Sequence, residues 1–323
     1  MPLSVHDVGH RVVLRRTAGE RDGRPLFADV LGELVTWGDV VVVRTADGAE
    51  VAVPRTEVTA GKRIPPRPAR RGAAHREVDD LELERIAALG WRGLRTEQIG
   101  GWRLRASGGW TGRANSVLPL GDPGLELDAA LDQTRAWYAE QGLPALIQVP
   151  LPARDDLRDA LHARGWTDAW GALVMTASAG DVLAHLPVRD DLPPVEFAST
   201  PTDAWLAAYH YRGGALPPVA VQVLRSGDAP FYATLVENNT VVAIARGALD
   251  EGWVGITAVE VEPAQRRRGL ATHLLRGLLD HGTAHGAHSA YLQVDLENTA
   301  AHALYGGVGF AVHHRYLYVR APD

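Results

Sequence analysis

Residues 259–275 read VEVEPAQRRRGLATHLL. A β-branched, acidic run meets a proline, then three arginines, then Gly-Leu-Ala opening an amphipathic helix. Cations are unwelcome at a helix start, where the macrodipole is already positive. The triplet makes sense if a strongly anionic group sits there. Free backbone N–H groups, a glycine permitting close approach and nearby guanidinium groups together form a phosphate cradle.

Working outward, the 323-residue chain exceeds what one core usually organises, and 46% hydrophobic residues suffice for two or three. The formal charge of -6 gives no support to a protein that coats nucleic acid, so no nucleic-acid partner is expected. The absence of cysteine excludes disulfides, thiolate metal sites and cysteine nucleophiles. The start, MPLSVHDVGHRVVLRR, has no apolar signal region, and no apolar run is long enough to span a bilayer, so a cytoplasmic location away from membranes is expected.

Short β-rich runs broken by Gly, Asp-Gly and Pro fill residues 1–62 and predict a small antiparallel barrel. Residues 63–76 continue RIPPRPARRGAAHR, basic and proline-rich. They read either as a tether for nucleic acid or an acidic partner or as a semi-rigid solvated linker, and the linker is the simpler reading.

From residue 77 helical and strand patterns alternate, predicting an α+β fold. The segment ALIQVPLPARDDLRDALHARGW from Ala145 overlays SAYLQVDLENTAAHALYGGVGF from Ser289 at an offset near 144. Two copies of one unit, 77–185 and 186–323, are therefore expected. The copies differ where chemistry would sit. Opposite Arg266, Arg267, Arg268 and Gly269 the first copy has Asp122, Pro123 and Gly124; opposite Asn298 and Tyr305 it has Ala153 and Leu161. Aspartate repels phosphate, so only the second copy is expected to be active.

The second copy resembles the GNAT superfamily of acetyl-CoA-dependent N-acetyltransferases. Its signature Arg/Gln-x-x-Gly-x-Gly/Ala is matched by Arg266, Arg267, Arg268, Gly269, Leu270 and Ala271, followed in order by Asn298, Tyr305 and Gly309-Phe310. The resemblance implies a GNAT fold as a pseudo-duplicated pair, with a degenerate first half and a catalytic second half behind a small Src-homology-like barrel. It implies acetyl-CoA as donor, held by Val259, Glu260, Val261, the arginine loop, Asn298 and Tyr305, with no metal. In the superfamily Asn298 would hydrogen-bond the pantetheine arm or nearby backbone; it reads equally as a helix cap. Tyr305 resembles the general acid for the leaving thiolate, against the alternative of a core tyrosine.

For the base, glutamine at Gln293 cannot take a proton, which leaves Glu260 and Glu262. Alternation puts both opposite Val259 and Val261, and a bulge would re-aim one. Glu260 is the choice, with a water-mediated base the alternative. In the first copy, GGWRLRASGGWTGRANSV predicts a hairpin turning at Gly108-Gly109, offering Arg105, Arg113 and Asn115 to substrate; surface arginines on a sheet are the plainer reading. His313-His314 lacks matched carboxylates nearby, so no metal is expected.

Over its whole length the chain is similar to an actinobacterial family, some members of which are assigned as N-acetylglutamate synthases. That resemblance implies L-glutamate as acceptor and arginine biosynthesis. A protein-, antibiotic- or polyamine-acetylating enzyme and an acetyl-CoA sensor are the alternatives. The sequence is compatible with a monomer or a homodimer and names no partner for the barrel.

Overall fold

A computed structural model describes residues 3–4, 7–8, 11–21, 24–45, 49–63, 74–210, 214 and 216–322. The chain divides into two compact units, residues 1–69 and 70–323. In the first, β1 (Arg11–Arg21), β2 (Arg24–Thr36), β3 (Val40–Arg44), β4 (Glu50–Pro54) and β5 (Val58–Arg63) form an antiparallel sheet in the order β4-β3-β2-β1-β5. Period-two alternation builds its core: Val12, Leu14, Leu34, Val41, Val43 and Val53 are fully buried, while Arg15 and Arg44 stay exposed. Residues 64–73 of the expected linker lie outside the described residues.

The second unit begins with α1 (Ala74–Glu77), α2 (Asp80–Gly90), β6 (Arg95–Ile99), β7 (Trp102–Ala106), β8 (Leu118–Pro119), α3 (Leu127–Glu140), β9 (Leu146–Leu151), α4 (Asp155–His162) and β10 (Thr167–Ser178). It continues with α5 (Ala179–His185), β11 (Glu196–Ala198), α6 (Asp203–Ala208), α7 (Pro218–Leu224), β12 (Pro230–Glu237), β13 (Thr240–Asp250) and β14 (Trp253–Val261). The chain closes with α8 (Leu270–Ala284), β15 (Ser289–Asp295), α9 (Thr299–Gly307) and β16 (Ala311–Arg320). The run β9-α4-β10 reproduces β15-α9-β16, as the sequence overlay predicts.

The halves expected at 77–185 and 186–323 are nevertheless not separate bodies. One eight-stranded sheet runs β11-β12-β13-β14-β15-β10-β16-β9. Strand β10 of the first half pairs antiparallel with both β15 and β16, and β16 pairs with β9. Each half has given its last strand to the other. Severing the chain near residue 185 would leave β15 and β16 with an empty lane between them, exposing unpaired backbone groups. No helix among the described residues is long and apolar enough to cross a membrane.

The hairpin expected to turn at Gly108-Gly109 is instead a long loop between β7 and β8, whose pairing is limited to Trp102↔Pro119 and Arg103↔Leu118. Asn115 organises that loop. Its Oδ1 accepts from the backbone N–H groups of Ser107 (2.7 Å) and Gly109 (2.8 Å), and its Nδ2 donates to the carbonyls of Trp110 and Thr111.

Candidate active site

The site starts with a parting of two strands. β14 and β15 pair in parallel only from Trp253↔Ser289 to Ile256↔Leu292, and then separate. The first half shows what happens without that parting. There Val117, equivalent to Val261, bridges to Ile147, its N–H donates to the Leu146 carbonyl, and its own carbonyl accepts from the Gln148 N–H. The gap is stitched shut. In the second half it opens into a cleft of about 1080 Å³ between the strand ends, α8 and α9.

A bulge fixes what faces the cleft. The register of β13 against β14 shifts between Ile244↔Glu260 and Arg246↔Thr257, and Ala258 takes a left-handed φ of 52°. One extra residue reverses the parity of the strand. Val254 and Ile256 before the bulge, and Val259 and Val261 after it, all pack on the core beneath α8, while Ala258 packs on the aromatic cluster of the opposite face. Glu260 therefore lies on that opposite face. There its Oε2 accepts from the His210 backbone N–H at 2.8 Å, with His210 Nδ1 3.5 Å from Oε1. In the plane of the sheet, the Glu262 N–H donates to the Val242 carbonyl of β13. Alternation then turns the N–H groups of Val259 and Val261 away from β13, into the cleft.

The arginine loop supplies the second wall. Gly269 caps α8 with φ 84°, and Arg267 is also left-handed at 67°. The backbone N–H groups from Arg267 to Thr272 have no hydrogen-bond acceptor among the described residues, so a row of donors points off the helix start. A Cβ built on Gly269 would sit 2.7 Å from Arg189 Nη1. Arg189, from the segment before β11, thus adds a cation at the loop that sequence reasoning missed; its hydrogen bonds hold Asp191 down to about 2.

The three arginines do not behave alike. Arg266 and Arg267 line the cleft, Arg266 with Nε on the Val261 carbonyl at 3.2 Å. Arg268 does not line it. Its guanidinium forks onto both carboxylate oxygens of Glu237 at 2.8 Å, which holds that carboxyl below its ordinary range. Expected as a cofactor ligand, Arg268 keeps only its backbone N–H in the loop, because Glu237 at the end of β12 lies within reach of its side chain.

On the third side α9 presents Asn298 and Tyr305. Asn298 is the helix cap, its Oδ1 accepting from the Ala301 N–H at 3.0 Å. Tyr305 is 8% exposed and stands edge-on to Phe310 at 5.9 Å. Burial alone pushes its phenol up to about 12. Its Oη makes no hydrogen bond to the described residues and is not among their sealed, unpartnered atoms, so it is open to the cleft. A phenol in this state is protonated at every physiological pH. Leu270 and Ala271 also line the cleft.

Two residues expected to touch substrate are turned inward. Arg105 is 3% exposed, with Nε on the Ser116 carbonyl and Nη2 on Ser116 Oγ and Gln148 Oε1 at 2.8 Å. Its guanidinium is held by Ser116 and Gln148, the neighbours of the Val117–Ile147 bridge. Asn115 is spent on its own loop. Arg113 does reach a second recess of about 260 Å³ that shares Tyr209, Gln293 and Asp295 with the main cleft. There Arg113 lies over the Trp91 ring at 4.7 Å and donates to Gln293 Oε1 at 2.7 Å. Tyr209 and His210, which follow α6 and line the cleft, carried no local signal in the sequence.

This geometry has relatives. The family described as "Probable histone acetyltransferase Rv0428c C-terminal" matches residues 79–319, and "Rv0428c N-terminal Sm-like domain" matches residues 6–62. The chain is 30% identical over 327 residues to the "Probable histone acetyltransferase Rv0428c" of Mycobacterium tuberculosis, covering 98% of this chain and 96% of that one.

The chain belongs to the Rv0428c family.

Its N-terminal unit is the family's Sm-like domain, and its C-terminal unit is an acetyltransferase of the GNAT type. It is also 27% identical to the "Uncharacterized N-acetyltransferase YobR" of Bacillus subtilis, over 72% of this chain and 96% of that protein. A GCN5-related N-acetyltransferase from Kribbella flavida shares the fold, with a TM-score of 0.58 at 17% identity, covering 76% of this chain and 97% of that one. In this chain the family's acetyltransferase part is a strand-exchanged GNAT pair whose second half holds the open cleft.

Proposed function

We propose that the open cleft moves an acetyl group from acetyl-CoA to a primary amine borne by a cationic acceptor such as a lysine side chain of a basic peptide. The observation carrying this reading is the parting of β14 from β15 beside a helix start whose N–H groups from Arg267 to Thr272 are unclaimed among the described residues. The amides, with Arg266 and Arg267, suit a diphosphate. The parted strands offer the pantetheine arm backbone groups to pair with, and the Val259 and Val261 N–H groups lie where a carbonyl oxygen would gain charge.

The amine must arrive deprotonated. In this reading Glu260, beside His210 on the face opposite α8, accepts its proton directly or through water. Attack of the amine nitrogen on the acetyl carbon forms the C–N bond and an oxyanion held by the strand amides. Collapse breaks the C–S bond, the new amide nitrogen sheds its extra proton to the water of the cleft, and Tyr305 gives its proton to the departing thiolate and regains one from that water.

For the acceptor, Glu260 and Asp295 flank the cleft as carboxylates, which favours a cation. L-Glutamate would need a guanidinium for its α-carboxylate. Arg105 is sealed inside and Arg113 is already engaged by Gln293, so glutamate is the second reading, resting on Arg113 alone. Thiol release from acetyl-CoA, with a lysine-rich peptide, a polyamine and L-glutamate in parallel, tests the assignment. Turnover with the peptide and none with glutamate supports it, and turnover with glutamate alone overturns the acceptor class. No turnover with any amine leaves the sensor reading.

A further inference from the structure

Away from the cleft, three side chains converge in a way that hydrogen bonding between neutral imidazoles cannot satisfy. β16 bulges at His313: Val174 faces His314 and Met175 faces Val312, with His313 the extra residue. Neighbouring residues on a strand normally point to opposite faces, but here the bulge brings both imidazoles together, with His313 Nδ1 2.9 Å from His314 Nδ1. Asp80, in the first turn of α2, places Oδ1 3.4 Å from His313 Nδ1 and 3.7 Å from His314 Nδ1.

The far side of each ring fixes its tautomer. His313 Nε2 lies 2.8 Å from the Val78 carbonyl, which only accepts, and His314 Nε2 3.0 Å from Glu84 Oε1, which as a carboxylate accepts too. Each Nε2 therefore carries a proton, and the neutral rings aim two nitrogen lone pairs at each other with a carboxylate alongside. Such a set closes only around positive charge.

We infer that Asp80, His313 and His314 bind a divalent first-row transition ion such as Zn²⁺, which pins the start of α2 to β16. A tetrahedral ion with bonds of ~2.0–2.1 Å holds its ligand atoms about 3.3 Å apart, and the three observed separations bracket that value. Metal-bound imidazoles commonly donate their other N–H to a carboxylate or a backbone carbonyl, and Glu84 and Val78 supply one of each. His314 and Glu84 are buried, whereas Asp80 and His313 keep some exposure, which leaves a route in and a fourth position for water. The expectation that His313-His314 lacks carboxylates is corrected here: they come from α2, more than 200 residues upstream. Glu84 also accepts from Gln148 Nε2 at 2.7 Å, and Gln293 Nε2 lies 3.5 Å from the same oxygen, so the ion would brace a buried network ending at Gln293 beside the cleft.

The test uses the full chain without a histidine tag, stripped with chelator and titrated with zinc ions alone by calorimetry. One ion per chain is expected, with a raised melting temperature. Asp80→Asn and His313→Ala, each confirmed folded by circular dichroism, should each lower zinc affinity by at least about 100-fold, the upper end of what disturbing even an outer partner costs. Cobalt ions in place of zinc should give the visible absorption of a four-coordinate site in the wild type and lose it in both variants. Folded wild-type protein that takes up no zinc, or zinc affinity unchanged in both variants, overturns the inference and leaves a shared proton between the rings.

Discussion

Replacing Tyr305 by phenylalanine removes one oxygen and keeps the ring against Phe310. The structure sets the size of each consequence. Because Oη makes no hydrogen bond to the described residues, no bond is lost, and stability should change by less than about 0.5 kcal/mol. Because the phenol is pushed up to about 12 by burial, it is a proton donor throughout the working range, and its loss should lower kcat by roughly 10²–10⁴, equivalent to about 2.7–5.5 kcal/mol of transition-state stabilisation. Acetyl-CoA affinity should hold, since the phosphate cradle lies on α8 and not on α9. Thiol release gives kcat, calorimetry gives the acetyl-CoA Kd, and thermal melting gives stability on the one variant. A purely structural tyrosine predicts the reverse: turnover near wild type and a stability loss of about 1 kcal/mol. A kcat within about threefold of wild type at both pH 6.5 and pH 8.5 would refute the general-acid role.

Four further outcomes follow from particular contacts. Residues 70–323 should fold and bind acetyl-CoA without the barrel, whereas residues 186–323 should be insoluble, since β10 would be missing between β15 and β16; solubility and calorimetry on the two fragments check this. Arg268→Ala should leave acetyl-CoA affinity within about threefold, because that guanidinium serves Glu237, whereas Arg266→Glu should weaken it at least about tenfold by placing an anion at the cradle. Arg105→Ala should cost about 3 kcal/mol or more of stability in chemical denaturation, with the Ser116 carbonyl and Gln148 Oε1 left without the guanidinium that serves them inside. His281, stacked on Phe197 and Phe231, has its pKa lowered by burial and then by His285. The folded state thus favours the neutral ring, and the stability this provides is present above the unfolded pKa near ~6.5 and lost as pH falls through the lower folded value. Melting at pH 7.5 and pH 5 should differ less in His281→Phe than in the wild type.

The parts legible in the sequence are those whose chemistry is local. The loop from Arg266 to Ala271 could be read because a glycine with positive φ, a helix start and unclaimed amides all fall within a few consecutive residues. The bulge at Ala258 was foreseen only as an option, since Val259 and Glu260 look the same in either parity, and it is the packing of Val254 and Ile256 with Val259 and Val261 that fixes the answer. The exchange of β10 and β16 left no trace in a pairwise overlay, because both halves keep the same order of elements and only their partners change. Arg105 alternates with Leu104 and Ala106 and therefore read as the exposed face of a hairpin; what buries it is the rest of the first half, with Ser116 and Gln148 claiming its guanidinium. Asp80 and Glu84 are invisible from His313-His314 for the same reason.

Titration of acetyl-CoA into the full chain, beside Gly269→Val, tests the central claim most directly. One site per chain is expected in the wild type, with at least about 100-fold weaker binding in the variant, where a branched side chain enters a backbone position at φ 84° and crowds the donors of the cradle. Two sites per chain, or an affinity that the substitution leaves unchanged, would contradict it.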